Sequence, residues 1–130
     1  MTPYFYAPLQ MPVTDGGERR TVAVLVADME GLRTFLSCLP LDKATFWDAG
    51  GRENAAGILR DITDQAQSAI GKVQPPASRS FLDWWTAKAA NREDFVRLER
   101  PMPGLSNEIK DEAARILRRI TGMDAMPPPV

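Results

Sequence analysis

The segment "TVAVLVA" at residues 21–27 constrains the fold more than any other part of this sequence. It is apolar and rich in β-branched side chains, and it does not alternate between apolar and polar positions. A strand with water on one face does alternate, so a continuous apolar run predicts a strand that is covered on both faces. The run is also far too short to cross a bilayer as a helix. We therefore expect 21–27 to be a buried strand.

A β-hairpin is predicted to open the chain, because "TDGGE" at 14–18 is a turn signal between two apolar runs. The first run, 4–13, is interrupted by Pro8 and Pro12, and proline cannot donate a hydrogen bond to a sheet. Residues 4–13 are therefore expected to be an edge strand paired with 20–27, or an arm that adds to a neighbouring subunit. We favour the hairpin, with its outer edge and its aromatic side chains open to a partner. The residues assigned to that interface are Tyr4, Phe5 and Tyr6.

Helical spacing of apolar residues predicts helices over 29–39, 54–73, 80–91 and 106–121. Asp28 is the expected N-cap of the first helix, and Pro40 is expected to stop it. Gly50-Gly51 is expected to form a turn before the second helix. Gly122 is a good stop for the last helix, which carries acidic residues in its first turn and arginines in its last turn, as suits the helix dipole.

The predicted elements place the chain in the α+β class, mostly α, with an N-terminal β-hairpin followed by about four helices. Val96 and Leu98 alternate with charged residues, which predicts a short strand or an extended segment between the last two helices. One domain is expected over residues 1–123. The proline-rich segment 124–130, "DAMPPPV", is expected to be an extended tail.

The composition excludes several classes of function. The chain has no histidine, which removes Ser-His and Cys-His catalytic pairs and imidazole metal ligands. Its 16 basic and 17 acidic residues give a net charge of -1, which provides no global attraction to nucleic acid or to an anionic membrane. The single cysteine, Cys38, is expected to be a buried structural thiol. No signal peptide is evident at the N-terminus, so we expect an intracellular origin.

Two further patterns could in principle carry chemistry, and for both the structural interpretation is preferred. Asp28 with Glu30, or Asp61 with Asp64, could hold a divalent cation, but no third ligand accompanies either pair. A solvated helix face explains Asp61 and Asp64 better. The segment "DAGGREN" lacks the Lys-Ser/Thr of a phosphate-binding loop and is better explained as a turn. No catalytic, metal-binding or cofactor-binding residue is therefore assigned.

Two clusters are candidates for contacts with other macromolecules. Trp84 and Trp85 are neighbours on a helix and point about 100° apart, so one can fill the core while the other points elsewhere. Trp84 is interpreted either as partly buried at the core boundary or as an anchor at a protein–protein interface; we adopt the second. Arg115, Arg118 and Arg119 form a basic cluster that could bind nucleic acid, although acidic residues earlier in the same helix partly neutralise it.

The first half of the chain resembles small virion proteins of tailed bacteriophages. The features that carry the resemblance are an apolar N-terminal strand pair, the run "FLSCL", the aromatic pair in "TFWD" and the amphipathic segment "ENAAGILRDITDQAQSAI", over residues 4–73. It implies a structural role in a tail, neck or capsid assembly with many packed copies. It also implies synthesis in the bacterial cytoplasm and a final location in the virion.

These observations predict a non-enzymatic structural or assembly protein. Its expected partners are other copies of itself and other proteins of the same assembly, without a cofactor and without nucleic acid or membrane. The expected interface residues are Tyr4, Phe5, Tyr6 and Trp84. The alternative is a small nucleic-acid-binding or regulatory module that uses Arg115, Arg118 and Arg119.

Overall fold

A computed structural model of the chain describes residues 1–12, 18–40, 49–71, 83, 85–87 and 96–123. Its strands are β1 (Thr2–Pro12), β2 (Arg19–Asp28), β3 (Arg33–Cys38), β4 (Arg97–Leu98) and β5 (Met102–Ser106). Its long helices are α1 (Ala49–Gly71) and α2 (Ile109–Thr121). The backbone is also helical at residues 83 and 85–87, inside the predicted helix 80–91, whose remaining residues lie outside the described ranges.

The described strands form one five-stranded antiparallel sheet in the order β3-β2-β1, with both β4 and β5 paired to the far side of β1. The pairing of β1 with β2 confirms the predicted N-terminal hairpin. The prediction of a mostly α fold is wrong, because the sheet holds nearly as much of the chain as the helices do. The predicted short strand at Val96 and Leu98 is present as β4.

Strand β2 is covered on both faces, as its continuous apolar run predicts. Leu25 lies in a core cluster with α1, whereas Val24 and Val26 lie in a second cluster with α2. Each of these three side chains is fully buried. The pairing with β1 shifts between Leu9 and Gln10, so Val22 is an extra residue that packs on the same side as Ala23. The sheet is therefore the central layer between two helices.

Helix α1 covers one face of the sheet and α2 covers the other. The segment predicted as helix 54–73 is helical from Ala49 to Gly71, so Gly50 and Gly51 lie inside the helix and the predicted turn there is wrong. The apolar stripe predicted for this helix is buried at Ala55, Leu59, Ile62, Ala66 and Ile70. Ile58 and Ala69 of the same stripe are half-buried, and Val73 lies outside the described residues. The described part of 1–123 thus packs two cores against one shared sheet, and the tail 124–130 lies outside the described residues.

The predicted helix over 29–39 is wrong, because these residues form a turn followed by β3. Asp28 does not cap a helix; its Oδ1 accepts hydrogen bonds from the backbone N–H groups of Glu30 and Gly31, 3.1 and 2.9 Å away. This carboxylate closes a tight connection between β2 and β3. Leu32 completes the connection with a left-handed φ of 51°. The apolar residues then alternate, with Leu36 on the α1 side and Phe35 on the α2 side.

Strand β1 lies inside the sheet, so the expectation of an edge strand with an open outer edge is wrong. Prolines are tolerated there because of where they fall in the hydrogen-bonding pattern. Pro8 lies opposite the break between β4 and β5, since its neighbour Leu9 pairs with β4 and Tyr6 pairs with β5. The carbonyl of Pro8 accepts a 3.1 Å hydrogen bond from the N–H of Glu99 within that break. Neither β4 nor β5 has a residue paired with Pro8, so the missing N–H of Pro8 removes no hydrogen bond between β1 and these strands.

The outer edge of β3 is partly satisfied by a side chain of α1. Gln67 Oε1 accepts hydrogen bonds from the backbone N–H and the Oγ1 of Thr34, at 2.9 and 3.1 Å. Gln67 Nε2 donates to the carbonyl of Leu32 at 3.2 Å. The carboxamide therefore acts like a peptide group of an additional strand. It fixes α1 to the sheet edge as well as to its face.

Helix α2 runs from Ile109 to Thr121 and is capped by Gly122, which has a left-handed φ of 73° and donates its N–H to the carbonyl of Arg118. The predicted stop at Gly122 is confirmed. The predicted start at Ser106 is three residues early, because Ser106 is the last residue of β5. Its Oγ still accepts a 2.9 Å hydrogen bond from the N–H of Glu108, at the helix entrance. The helical spacing predicts one apolar stripe made of Ile109, Ala113, Ile116, Leu117 and Ile120. The first four are buried, whereas Ile120 is 46% exposed.

Candidate interaction surface

The structure brings together two groups of residues that the sequence separates by most of its length. Tyr4 and Tyr6 of β1 are on the sheet face covered by α2, with ring centroids 6.1 Å apart and ring planes inclined by 42°. Arg115 and Arg119, one turn apart on α2, lie beside this tyrosine pair. Arg115 is connected to it through Glu112, and Arg119 is near enough for its charge to act on Tyr4. Tyr4 of the predicted interface is thus a neighbour of Arg115 and Arg119 of the predicted basic cluster.

Glu112 holds this arrangement together from a buried position, with 5% of its surface exposed. Its Oε2 accepts a 2.9 Å hydrogen bond from the Tyr4 hydroxyl. Its Oε1 accepts one from the Ser106 hydroxyl at 3.1 Å and forms a 2.6 Å ion pair with Arg115. A buried carboxylate is stable only with partners of this kind. The acidic first turn of the helix was visible in the sequence, but its position gave no sign that Glu112 would be buried.

The environment of Tyr4 changes its acidity. Burial raises the pKa of the Tyr4 hydroxyl, and the hydrogen bond to Glu112 together with the charge of that carboxylate raises it further, to about 12. The positive charge of Arg119 opposes this increase. Tyr4 therefore stays protonated at neutral pH and acts as a hydrogen-bond donor. Its hydrogen bond to Glu112 connects β1 to α2.

The predicted interface residues differ in how much surface they offer. Tyr4 is only 6% exposed, so its ring packs inside the chain. Phe5 and Tyr6 are half-buried and face opposite sides of the sheet. Trp84 lies outside the described residues, whereas Trp85 is fully buried and donates its Nε1–H to the carbonyl of Glu99 at 3.1 Å. The interface role of Tyr4, Phe5, Tyr6 and Trp84 stays a prediction.

Strand β5 adds exposed apolar side chains next to these aromatics. Met102 pairs with Tyr6 in register, shares its face and is 39% exposed. Leu105 pairs with Pro3, lies on the other face with Phe5 and is 61% exposed. The sequence indicated only a short strand or extended segment in this region and did not assign either residue to an interface. Met102 and Leu105 lie three residues apart and on opposite faces, so the segment lacks the apolar–polar alternation from which a strand is predicted.

The predicted basic cluster is fully on the surface. Arg115, Arg118 and Arg119 are exposed, and they occupy the second half of α2 beside the tyrosine pair. Arg115 forms an ion pair with the buried Glu112. The side chain of Arg115 is nevertheless 63% exposed. This end of α2 thus presents positive charge to the solvent.

The carboxylates considered for metal binding do not converge. Asp61 and Asp64 are exposed on the outer face of α1, and Asp28 is used in the turn after β2. Within the described ranges, no three cysteine, aspartate or glutamate side chains come together as a metal site. Cys38 is buried, and burial raises the pKa of its thiol to about 11. The thiol is therefore protonated at neutral pH and poorly nucleophilic.

Two concave regions lie on opposite sides of the molecule. A cleft of about 530 Å³ opens between the β2–β3 turn and the start of α2, where Asp28 and Glu108 face Arg33 and Lys110. The guanidinium of Arg33 lies 5.5 Å from the ring centroid of Phe35 in the same cleft. A shallower groove of about 420 Å³ runs along the outer face of α1. It is lined by Gly50, Glu53, Asn54, Gly57, Ile58 and Asp61.

Comparison of the chain with protein-family models, with curated proteins and with solved structures finds no match. Among the helices that the structure describes, none combines the length and the apolar character needed to span a membrane.

Proposed function

We propose that this chain is a non-enzymatic structural protein that contacts other copies of itself and other proteins in a multi-copy assembly. The observation that carries the proposal is the exposed apolar pair on β5, Met102 and Leu105, which projects from both faces of the sheet beside Tyr6 and Phe5. From the resemblance to tailed-phage virion proteins, we expect that assembly to be a tail, neck or capsid. The proposal includes synthesis in the bacterial cytoplasm.

Side chains, rather than backbone pairing, are expected to make the contact at β5. The register places the backbone groups of Pro103 and Leu105 on the open side of β5, and Pro103 has no N–H to donate there. Strand addition at this edge is therefore disfavoured.

Aromatic residues, methionine and arginine are enriched at protein interfaces, and this surface presents all three types. Covering Leu105 and Met102 removes apolar area from water at about 25 cal/mol per Å².

The test is the mass of the purified protein by size-exclusion chromatography with light scattering, over a range of concentrations. Leu105→Asp is expected to lower the associated fraction without lowering the thermal unfolding midpoint, because Leu105 is mostly exposed. Arg20→Ser is the matched control, since it changes the net charge by the same amount at an exposed site on β2. A wild-type protein that stays monomeric and captures no partner protein from its source would contradict the proposal.

A second candidate function is binding of single-stranded nucleic acid, which is favoured by one observation. Arg119 is exposed and near enough for its charge to act on Tyr4, whose ring centroid is 6.1 Å from that of Tyr6, and bases stack on aromatic rings beside positive charge. Binding to an oligonucleotide is then expected to fall steeply with salt and to be lost in Arg118→Gln/Arg119→Gln. The absence of salt-sensitive binding at low ionic strength would remove this candidate.

A further inference from the structure

We propose that the cleft between the β2–β3 turn and the start of α2 binds a small zwitterion, namely a free α-amino acid with an apolar side chain. This turn–helix cleft has a volume of about 530 Å³, within the range of about 300–1,000 Å³ that is usual for small-molecule sites. Met102 and Leu105, the apolar residues assigned to assembly, do not line it, so the inference goes beyond the function proposed above and does not rest on it. The lining residues that carry the inference are Asp28, Arg33, Phe35, Glu108, Ile109 and Lys110.

Asp28 supplies a buried carboxylate with one unused oxygen. Its Oδ1 accepts both backbone hydrogen bonds of the turn, from the N–H groups of Glu30 and Gly31. Within the described residues its Oδ2 accepts no hydrogen bond and forms no ion pair, although Asp28 is only 7% exposed. Oδ2 is not enclosed by protein, so it opens to the cleft that Asp28 lines. A carboxylate oxygen in this position favours a cationic hydrogen-bond donor as its partner.

Arg33 places a positive charge beside that oxygen without pairing with it. Asp28 and Arg33 are direct cross-strand partners, so they lie on the same face of the sheet. A Cβ atom on Gly31 would overlap Oδ2 of Asp28 and would lie 3.6 Å from Nε of Arg33. Because glycine has no Cβ, the two groups border one open space, and they form no ion pair in the described part of the chain. The guanidinium instead lies 5.5 Å from the ring centroid of Phe35, which stabilises it at the cleft wall.

The start of α2 provides further donors for an anion. The N-cap residue, Glu108, makes no side-chain hydrogen bond to the first turn of the helix. Among the described residues, none accepts a hydrogen bond from the backbone N–H groups of Ile109 and Lys110, which have no acceptor within the helix itself. The exposed side chain of Lys110 adds a second positive charge and forms no ion pair with another described residue. A ligand carboxylate here would complete the uncapped first turn and face both Arg33 and Lys110.

The combination of charges determines the class of ligand. A simple anion would pair with the two basic side chains but would be repelled by the two carboxylates, and a metal cation would meet the reverse. A molecule that carries an ammonium and a carboxylate on one carbon atom can pair with Asp28 and Arg33 at once, because these groups border the same space. Phe35 and the buried Ile109 give the cleft an apolar wall for the side chain of the ligand. An α-amino acid with an apolar side chain has all three features.

The experiment titrates the full-length, ¹⁵N-labelled protein with L-leucine and with L-phenylalanine and follows the amide chemical shifts by nuclear magnetic resonance. At least one of the two is expected to bind with a dissociation constant of about 1 mM or lower. The amide signals of Gly31 and Ile109, on the two sides of the cleft, are expected to shift. The amide of the amino acid lacks the carboxylate and its N-acetyl derivative lacks the ammonium, so each is expected to bind at least about 10-fold more weakly.

Asp28→Asn tests the unused oxygen, because the asparagine Oδ1 can still accept both hydrogen bonds of the turn while the negative charge is lost. Asp28→Asn and Arg33→Gln are each expected to weaken binding of the amino acid about 10-fold or more. Far-ultraviolet circular dichroism and the unfolding midpoint verify that both variants fold. Glu30→Gln is the matched control and is expected to bind as wild type does, since it neutralises an exposed carboxylate of the same turn that does not line the cleft.

Three results would overturn the inference. The first is that neither amino acid binds with a dissociation constant below about 10 mM. The second is that inorganic phosphate, or the derivatives that lack one charge, shift the same amide signals as strongly as the free amino acid does. The third is that Asp28→Asn or Arg33→Gln binds as tightly as wild type. Because association of the chain is measured separately by light scattering, none of these results changes the conclusion on assembly.

Discussion

The hydroxyl of Tyr4 donates a 2.9 Å hydrogen bond to Oε2 of Glu112, across 108 residues of sequence. The bond joins the first strand to the last helix and is buried between them. It explains why Tyr4 is the most buried of the predicted interface aromatics that the structure describes. It also helps to position Arg115 of α2, because Arg115 pairs with the same carboxylate. The placement of this exposed arginine therefore depends on a residue of the first strand.

Tyr4→Phe is expected to lower the free energy of unfolding by about 1.5–3 kcal/mol, the range for a hydrogen bond to a charged group. The ring stays in place, but buried Glu112 loses one of its donors. Urea unfolding at neutral pH measures the change. Tyr6→Phe is the matched control, since Tyr6 is half-buried and its hydroxyl makes no hydrogen bond within the described residues. Equal losses in the two variants would contradict the assigned role of the Tyr4–Glu112 bond.

The stability of the protein is expected to fall at alkaline pH in two overlapping windows. The pKa of Tyr4 is raised from 10.0 to about 12, and that of Cys38 from 9.0 to about 11. For both groups the folded state holds the proton more tightly, so the stabilisation is fully present below the ordinary pKa. It is lost as pH rises through the window, by at most about 1.4 kcal/mol per pH unit for each group. Denaturant unfolding between pH 8 and about 12 measures the slope.

Two variants separate these windows. In Tyr4→Phe the loss between pH 10 and 12 is expected to shrink, while the loss between pH 9 and 11 remains. In Cys38→Ala the loss between pH 9 and 11 is expected to shrink, while the loss between pH 10 and 12 remains. Each variant is compared with wild type by the pH slope rather than by absolute stability, since both substitutions also cost stability at neutral pH. An unchanged slope in both variants would show that neither group titrates differently on folding.

How much of the fold can be read from the sequence depends on the strength of the local pattern. The apolar run of β2 and the long stripe of α1 are unambiguous, and both were predicted. Residues 29–39 were misread because Met29, Leu32 and Leu36 happen to recur at helical spacing. What decides in favour of a strand is the partner β2, which offers a hydrogen-bonding edge that no helix could use. That edge is a tertiary property and has no signature within the segment itself.

The central position of β1 and the burial of Glu112 could not be predicted from the local sequence for the same reason. In general, a proline in a segment indicates that the segment is not a central strand of a sheet. Pro8 is tolerated because β4 and β5 leave a break at its position, and those strands arrive from residues about ninety positions later. Likewise Glu112 looks like any acidic residue in a first turn until Tyr4 and Ser106 are placed against it. The sequence therefore predicts which types of residue form the candidate surface, but not that the tyrosines of β1 and the arginines of α2 lie side by side.

Gln67→Ala is expected to expose the edge of β3. The substitution removes the acceptor of the Thr34 N–H and the donor to the carbonyl of Leu32, so the N–H of Thr34 should exchange with solvent faster. The cost in unfolding free energy is expected to be about 0.5–1.5 kcal/mol, because these bonds are exposed to water. Hydrogen exchange at Thr34 and urea unfolding measure the two effects. Gln65→Ala, at an exposed position on the same helix, is the control; a similar change there would assign the effect to helix propensity.

Gly104→Ala is expected to destabilise the protein by about 1–3 kcal/mol, the usual cost of forcing extra volume into a packed site. Gly104 pairs with Tyr4 in the sheet, and a Cβ atom there would overlap the tyrosine ring well inside van der Waals contact. The ring is buried and held by Glu112, so it can move aside only by breaking that hydrogen bond. Thermal and urea unfolding measure the loss.

Gly71→Ala is the matched control for Gly104→Ala, because a Cβ atom at residue 71 meets no atom of the described residues within 4 Å. Gly71 is exposed at the end of α1, where alanine has the higher helix propensity, so stability is expected to stay equal or to rise slightly. A second comparison identifies the mechanism. In a Tyr4→Leu background, which removes the ring, the further change Gly104→Ala is expected to cost less than it does in wild type. If the cost of Gly104→Ala is the same in both backgrounds, the overlap with Tyr4 is not its cause, and the backbone of β5 itself must require glycine.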